Sequence, residues 1–334
     1  MVRDKNWHNG NRMRMELETY LKKTAEEVNS LLQDSYGDPK TALSRAANHL
    51  LFAGGKRLRP ALFKLAADAV KPGSSKIIMP AGLSLEVTHN FTLIHDDIMD
   101  KDEFRRGQKT VHTLWGEPAA ILAGDVLYAR AFSLICTADA PEEPKVKAIA
   151  LLARTCEEIC EGQQQDMSFE ERGVVSRDEY LEMVTKKTGV LYGAAAAIGA
   201  LLAGGSDAQV DGLYNYGCRI GAAFQIQDDL IDLLASSAKS GKDQASDIRE
   251  GKQTLIAITA REQGIDLKPW RRPLNHEEIA SLITMLTDKG VIDTVQKDAE
   301  SMITTAIHDL SVLSDTMEKH LLAELAWYFI RRDY

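Results

Sequence analysis

His95-Asp96-Asp97-Ile98-Met99-Asp100 and Gln227-Asp228-Asp229-Leu230-Ile231-Asp232 are the two stretches on which the reading of this chain turns. Each carries carboxylates at positions 0, +1 and +4 within apolar surroundings. On an α-helix, positions 0 and +4 lie one turn apart on one face, with +1 beside them. Like charges so placed repel one another, and two such clusters call for a compensating cation. An all-oxygen donor set favours Mg²⁺ or Ca²⁺, and Mg²⁺ keeps several waters while taking one or two carboxylates together with substrate phosphates. The spacing therefore predicts two helices facing each other with a polyphosphate held between them.

Working outward from these stretches, the helical period dominates. Leu17, Tyr20, Leu21, Ala25, Val28, Leu31 and Leu32 form an apolar stripe at i, i+3, i+4 spacing. Pro60, Pro80 and Pro118 each precede an Ala- and Leu-rich run, where proline suits the first turn of a helix. Asn275 with Glu278 three residues later predicts a capping box. No run of alternating β-branched residues is convincing, so the expected class is all-α, a single large antiparallel helical bundle. Residues 1–12 read as a flexible extension, with the catalytic domain over 13–334. Gly189 to Gly205 is a run of 17 residues without charge. Its wealth of Gly and Ala predicts a close-packed central helix rather than a membrane span, which needs about 18 or more strongly apolar residues.

Composition narrows the function. The 334 residues include 44% hydrophobic side chains, enough for a sizeable core, and the formal net charge is −9. That balance argues against a nucleic-acid partner, which needs a basic surface. Cys136, Cys156, Cys160 and Cys218 lack metal-site spacing, and Cys156 and Cys160, four apart on a helix, read as buried reduced thiols. The polar opening stretch has no secretory core, which predicts a cytoplasmic protein without a membrane span.

Basic residues gather where a diphosphate site wants them. Gly54-Gly55-Lys56-Arg57-Leu58-Arg59-Pro60 sets three cations in a glycine-led turn at the start of a helix, a place that favours anions. Arg105-Arg106-Gly107 follows the first aspartate cluster, and arginine's planar fork suits phosphate oxygens. Lys186-Lys187-Thr188 opens the apolar helix, and Gly241-Lys242, Asp247 and Lys252 follow the second cluster.

Together GGKRLRP (54–60), HDDIMD (95–100), RRG (105–107), GQQQD (162–166), KKT (186–188), FQIQDDLID (224–232) and SDIREGKQT (246–254) resemble the all-trans polyprenyl diphosphate synthases in content, order and spacing. The resemblance implies the isoprenoid synthase fold around a central catalytic cavity, and a homodimer. It implies that Asp96, Asp97, Asp100, Asp228, Asp229 and Asp232 hold Mg²⁺, about three ions in all, which clamp the allylic diphosphate. Arg105, Lys187, Thr188, Gln225 and Lys242 would contact that diphosphate. Isopentenyl diphosphate would bind through Lys56, Arg59, His89 and Arg106. Asp166, Thr188 and Gln225 would line the reacting carbons, and Arg331 with Arg332 resemble a basic tail that closes over isopentenyl diphosphate. The implied reaction is Mg-dependent ionisation, condensation and elimination.

Product length is expected to be set one turn and more before the first cluster. Thr92 lies one turn before Asp96, and Phe91 lies five residues before it, about 7.5 Å along the axis. An aromatic at the fifth position with a small neighbour and no insertion in the motif resembles the archaeal type that makes geranylgeranyl diphosphate. Farnesyl and geranylfarnesyl diphosphate stay open as products. A terpene cyclase lacks the second aspartate motif of this type, a phosphohydrolase built on His95-Asp96 lacks its further histidines, and a noncatalytic synthase subunit normally loses aspartates that are intact here.

Overall fold

The computed structural model describes residues 2–235 and 244–331, with side chains described from Arg12 onward. The protein is 78% helical, so the all-α expectation holds. Among the described residues the only strands are Phe104–Arg105 (β1) and Gln108–Lys109 (β2), a short antiparallel ribbon.

The chain divides into two compact units. The first comprises residues 1–153, 194–214 and 312–324. It holds α1 (Val2–Tyr36), α2 (Ala42–Asn48), α3 (Leu58–Val70), α4 (Ser75–Met99), the ribbon, α5 (Val111–Trp115) and α6 (Glu117–Cys136). The predicted stripe on α1 is buried at Leu17, Leu21, Val28 and Leu32. Gly124 brings α6 close to α4: a β-carbon there would collide with the ring of His95. Pro80 is a correction, because α4 begins at Ser75 and the proline lies inside it. Ser75 opens the helix early: its N–H and hydroxyl both bond to the carboxylate of Asp68, at 2.9 and 2.7 Å.

The second unit comprises residues 154–193, 215–311 and 325–334. A long helix, α7 (Glu142–Glu171), enters it; α8 (Arg177–Val184) then runs into a π-helical turn, Thr185–Gly189, before α9 (Val190–Leu202). After α10 (Asp207–Leu234) come α11 (Ser246–Glu250), α12 (Leu255–Glu262), α13 (His276–Asp288), α14 (Val291–Asp309) and α15 (Met317–Ile330). The capping box expected before α13 is present: Glu278 N–H donates to Asn275 Oδ1 and Asn275 N–H donates to Glu278 Oε2, both at 2.9 Å. Gly189, Gly217 and Gly221 sit where helix backbones touch. A β-carbon on Gly189 would stand 2.7 Å from the Cys218 carbonyl, which explains the glycine-rich composition of this stretch.

The uncharged run 189–205 behaves as predicted: residues 190–200 are all buried, and α9 itself spans 13 residues, too short to cross a membrane. Among the described residues one helix, α6, is long and apolar enough to do so by length and composition.

Candidate active site

The first carboxylate cluster closes α4. Asp100 is its C-terminal cap, its N–H bonded to the Asp96 carbonyl at 2.8 Å, and Lys101 turns the chain away with φ +58°. A helix C-terminus carries the negative end of the macrodipole, so carboxylates here are doubly unfavourable unless a cation joins them. Asp96 is half-buried and Asp100 exposed. Asp97 differs from both. It is fully buried, and its Oδ1 accepts from Nε of Arg105. Burial raises its carboxyl above the usual range, with Arg105 pulling the other way.

Arg105 is placed by the ribbon. Arg106 and Gly107, at φ +52° and +72°, form the two-residue turn that a right-twisted hairpin favours. That turn sends Arg106 back to the glycine loop, where its Nη1 donates to the Gly54 carbonyl at 2.5 Å. Its guanidinium lies 3.3–3.4 Å from where a β-carbon of Gly55 would stand, and Gly55 has φ +139°. His89 completes this group. Burial, then the charges of Arg59, Arg106, Arg105 and Arg57, push its imidazole well below its ordinary value, which keeps it neutral. Of these arginines, Arg105 is bonded to Asp97 and Arg106 to the glycine loop. Lys56, also predicted for this group, is exposed on the loop beside it.

The second cluster lies in the last turns of α10, at another helix C-terminus. Asp229 is buried and accepts twice, from the Tyr180 hydroxyl at 2.6 Å and from Gln225 Nε2 at 3.1 Å. Burial, then the nearby charge of Asp247, raises its carboxyl well above the usual range. Gln225 Oε1 in turn accepts from the Thr188 hydroxyl at 3.2 Å. Thr188 and Lys187 belong to the π-helical turn, a distortion that concentrates at functional sites. Lys187 Nζ donates to Asp166 Oδ2 at 2.5 Å. Gly162 permits this, since a β-carbon on it would strike the backbone of Lys187. Asp232 accepts from Ser246 Oγ at 2.5 Å and from the Asp247 N–H at 3.1 Å, so its carboxylate anchors the start of α11. Asp228 is half-buried.

Of the aspartates expected as metal ligands, Asp97, Asp229 and Asp232 are thus seen to accept from protein donors. Among the described residues no three carboxylate, imidazole or thiol groups converge on a point that would hold a metal. Sequence reasoning missed Tyr180 as a site residue. Lys252 was noticed only as a charge; its Nζ lies 3.2 Å from Asp247. Burial opposes its charge, but Asp247, Glu250 and Asp166 together raise its pKa. Lys242 and Arg332 lie outside the described residues, and Arg331 stacks its guanidinium 4.5 Å from the Trp327 ring centre.

Phe91 is buried, its ring edge-on to Tyr128 at 5.4 Å and to His95 at 5.7 Å. Thr92 is half-buried, its hydroxyl donating to the His89 carbonyl at 2.8 Å.

Within the first unit, the carboxylates that close α4 adjoin the arginines of the ribbon, a combination suited to phosphorylated ligands. Comparison with known proteins makes this specific. Residues 40–281 match the model of the polyprenyl synthetase family. A geranylgeranyl pyrophosphate synthase of Geoglobus acetivorans is 49% identical over 310 residues, covering 92% of this chain and 96% of the relative. A geranylfarnesyl diphosphate synthase of Natronomonas pharaonis is 44% identical, covering 87% and 90%. The crystal structure of a geranylgeranyl pyrophosphate synthetase from Pyrococcus horikoshii superposes with a TM-score of 0.87 at 35% identity, covering 96% of this chain and 99% of that one. The chain belongs to the polyprenyl synthetase family, with its isoprenoid synthase fold and prenyl-transferring chemistry.

Proposed function

We propose that this enzyme condenses isopentenyl diphosphate with allylic diphosphates and releases geranylgeranyl diphosphate. The observation that carries the reading is a pair of arginines on one hairpin: Arg105 bonds to Asp97 of the first cluster, and Arg106 bonds to the Gly54 carbonyl of the loop that carries Lys56 and leads to Arg59, all in one compact unit. A basic loop, whose neighbouring buried carboxylate Glu86 is paired with Arg57, adjoins a carboxylate site that needs cations. Two diphosphates bound in different ways, one with metal and one without, match that pair. Lys56, Arg59, His89 and Arg106 take isopentenyl diphosphate. His89, held neutral, donates one hydrogen bond without adding charge.

Asp96, Asp100 and Asp228 are assigned to Mg²⁺, because their position at helix ends and their exposure suit an ion that brings its own waters and phosphates. When bound, Mg²⁺ stabilises the charge that develops on the departing diphosphate. Arg105, held by Asp97, supplies a fixed cation to the same diphosphate, as do Lys187 and Lys242. The allylic C–O bond breaks, the isopentenyl double bond attacks the resulting carbocation to form the new C–C bond, and a proton leaves the isopentenyl unit. Asp166, Thr188 and Gln225 face the reacting carbons. Held by one another's hydrogen bonds, the Thr188 and Gln225 oxygens are preorganised towards positive charge.

Phe91, clamped between Tyr128 and His95, forms the floor that stops growth, with Thr92 leaving room beside it. Geranylfarnesyl diphosphate is the second reading, supported by the Natronomonas relative. The enzyme works as a homodimer in the cytoplasm. The dimer contact falls on α6, whose Ile121, Leu122 and Tyr128 are 47, 53 and 40% exposed on one face beside Leu114 and Trp115. Asp125 and Arg130 within that helix suit a protein partner better than lipid.

Purified protein with Mg²⁺, labelled isopentenyl diphosphate and dimethylallyl, geranyl or farnesyl diphosphate tests this directly. Products are dephosphorylated and sized by reverse-phase chromatography. Each starter is expected to end at geranylgeraniol. A stop at geranylfarnesol or farnesol would overturn the floor assignment, and no elongation from any starter would overturn the reaction itself.

A further inference from the structure

Arg57 stands between Lys56 and Arg59, yet its guanidinium is turned into the protein. It is 3% exposed, and its guanidinium spends all its faces on the protein: Nε donates to Asn29 Oδ1 at 3.0 Å, Nη1 to Glu86 Oε1 at 2.5 Å, and Nη2 to the Leu51 carbonyl at 2.5 Å. Glu86 is equally buried, and Asn90 pins it, donating to its Oε1 at 3.2 Å and its carbonyl at 2.8 Å. Three segments, α1, the end of the turn after α2, and α4, are thereby tied to one side chain. The backbone of Arg57 is left-handed, with φ +50° and ψ +39°, at the N-cap of α3. A residue with a β-carbon holds that conformation at a cost, and only where its surroundings dictate it.

A buried ion pair is poor value as a source of stability. Its desolvation offsets its attraction, and a matched apolar pair often does as well or better. What an arginine fork supplies that an apolar pair cannot is a fixed direction. Here that direction governs the two neighbours in sequence. The left-handed turn at Arg57 determines which way Lys56 leaves the glycine loop and how Arg59 enters the first turn of α3. Arg106 grips the same loop from the other side through the Gly54 carbonyl.

We propose that Arg57, through its buried pair with Glu86, is a positioning residue that aligns Lys56 and Arg59 on the diphosphate of isopentenyl diphosphate. The inference rests on the assignment of Lys56 and Arg59 to that substrate. Arg57 touches no substrate and changes neither the allylic site nor the chemistry. Its loss loosens the loop and weakens one substrate only.

The test is a steady-state comparison of KM for both substrates, with Tm measured alongside. The double variant Arg57→Met/Glu86→Leu replaces the pair by apolar side chains and is expected to fold with a lower Tm, since the Leu51 carbonyl and Asn29 lose their donor. Its KM for isopentenyl diphosphate should rise about tenfold, the equivalent of one charged hydrogen bond, with the allylic KM and kcat changed by less than about twofold. Arg57→Lys keeps the charge opposite Glu86 but cannot reproduce the fork, and should raise the same KM. If the double variant does not fold, Arg57→Lys decides the matter alone. An isopentenyl diphosphate KM that stays at the wild-type value, or two KM values that rise together, overturns the proposal. Lys56→Ala is run in parallel: if it leaves that KM unchanged, the site assignment has failed first and the inference falls with it. If it raises KM while the Arg57 variants do not, only the inference is wrong.

Discussion

Tyr180→Phe removes a single oxygen from the molecule and should be felt at two levels. The hydroxyl donates at 2.6 Å to Asp229, and both residues are buried, at 1% and 7% exposure. A hydrogen bond to a charged group contributes about 1.5–3 kcal/mol to stability, and a buried partner left unsatisfied forfeits its desolvation as well. Asp229 keeps one donor, Gln225, and its carboxyl is already raised well above the usual range by burial and Asp247. Taking up a proton relieves part of the loss, so about 2 kcal/mol of destabilisation is expected. Denaturant titration at neutral pH without Mg²⁺ measures it. The second level is function. Asp229 orients Gln225, and Gln225 receives the Thr188 hydroxyl, so a loosened Asp229 disorders two groups assigned to the reacting carbons. The expected result is a fall in kcat of about tenfold, with KM for isopentenyl diphosphate unchanged because its site is built from other residues. A variant that loses stability but keeps kcat would show the network to be scaffolding. A variant within about 0.5 kcal/mol of wild type would refute the energetic argument as well.

Three further outcomes follow from particular residues. Gly55→Ala places a β-carbon at φ +139° and 3.3 Å from the Arg106 guanidinium, so about 1–3 kcal/mol of strain should appear as a lower Tm together with a raised KM for isopentenyl diphosphate; an unchanged KM would mean that Arg106 does not serve that substrate. His89 has a folded pKa depressed below its unfolded value, so the folded state is disfavoured as pH falls below about 6.5 towards that depressed value. His89→Gln should flatten this part of the stability–pH curve, measured by thermal unfolding between pH 7.5 and about 5, and an identical slope in both proteins would contradict the assignment. Phe91→Ala should lengthen the product beyond wild type on reverse-phase sizing, since it removes the ring held by Tyr128 and His95; the same product length would place the floor elsewhere.

What could be read from the sequence was what local spacing encodes. The apolar stripe on α1, the capping box at Asn275 and Glu278, and the burial of residues 190–200 all depend on neighbours within a turn or two, and all appear as expected. The start of α4 was misplaced because Pro80 suggests a first turn, whereas Asp68, from the preceding helix, satisfies the true N-terminus at Ser75. Tyr180 was missed for the same reason on a longer scale. It meets Asp229 across 49 residues, and no periodicity reports such a pairing. The π-helical turn that carries Lys187 and Thr188 leaves no compositional mark either.

The aspartate clusters show where a motif read from spacing alone becomes two kinds of residue. Successive residues of a helix are rotated by about 100°, so carboxylates at 0 and +4 share a face while +1 is turned towards a side of the helix. In both clusters that side faces the interior: Asp97 is buried against Arg105, and Asp229 against Tyr180 and Gln225. The middle carboxylate thus fixes a group assigned to the reaction, and the outer ones lie where the helix ends. The clusters are not equivalent, however. In the second, Asp232 also accepts from Ser246 and the Asp247 N–H. A repeated sequence pattern therefore does not imply a repeated environment: Asp100 caps α4 and is exposed, whereas Asp232, at the same place in its motif, anchors the start of α11.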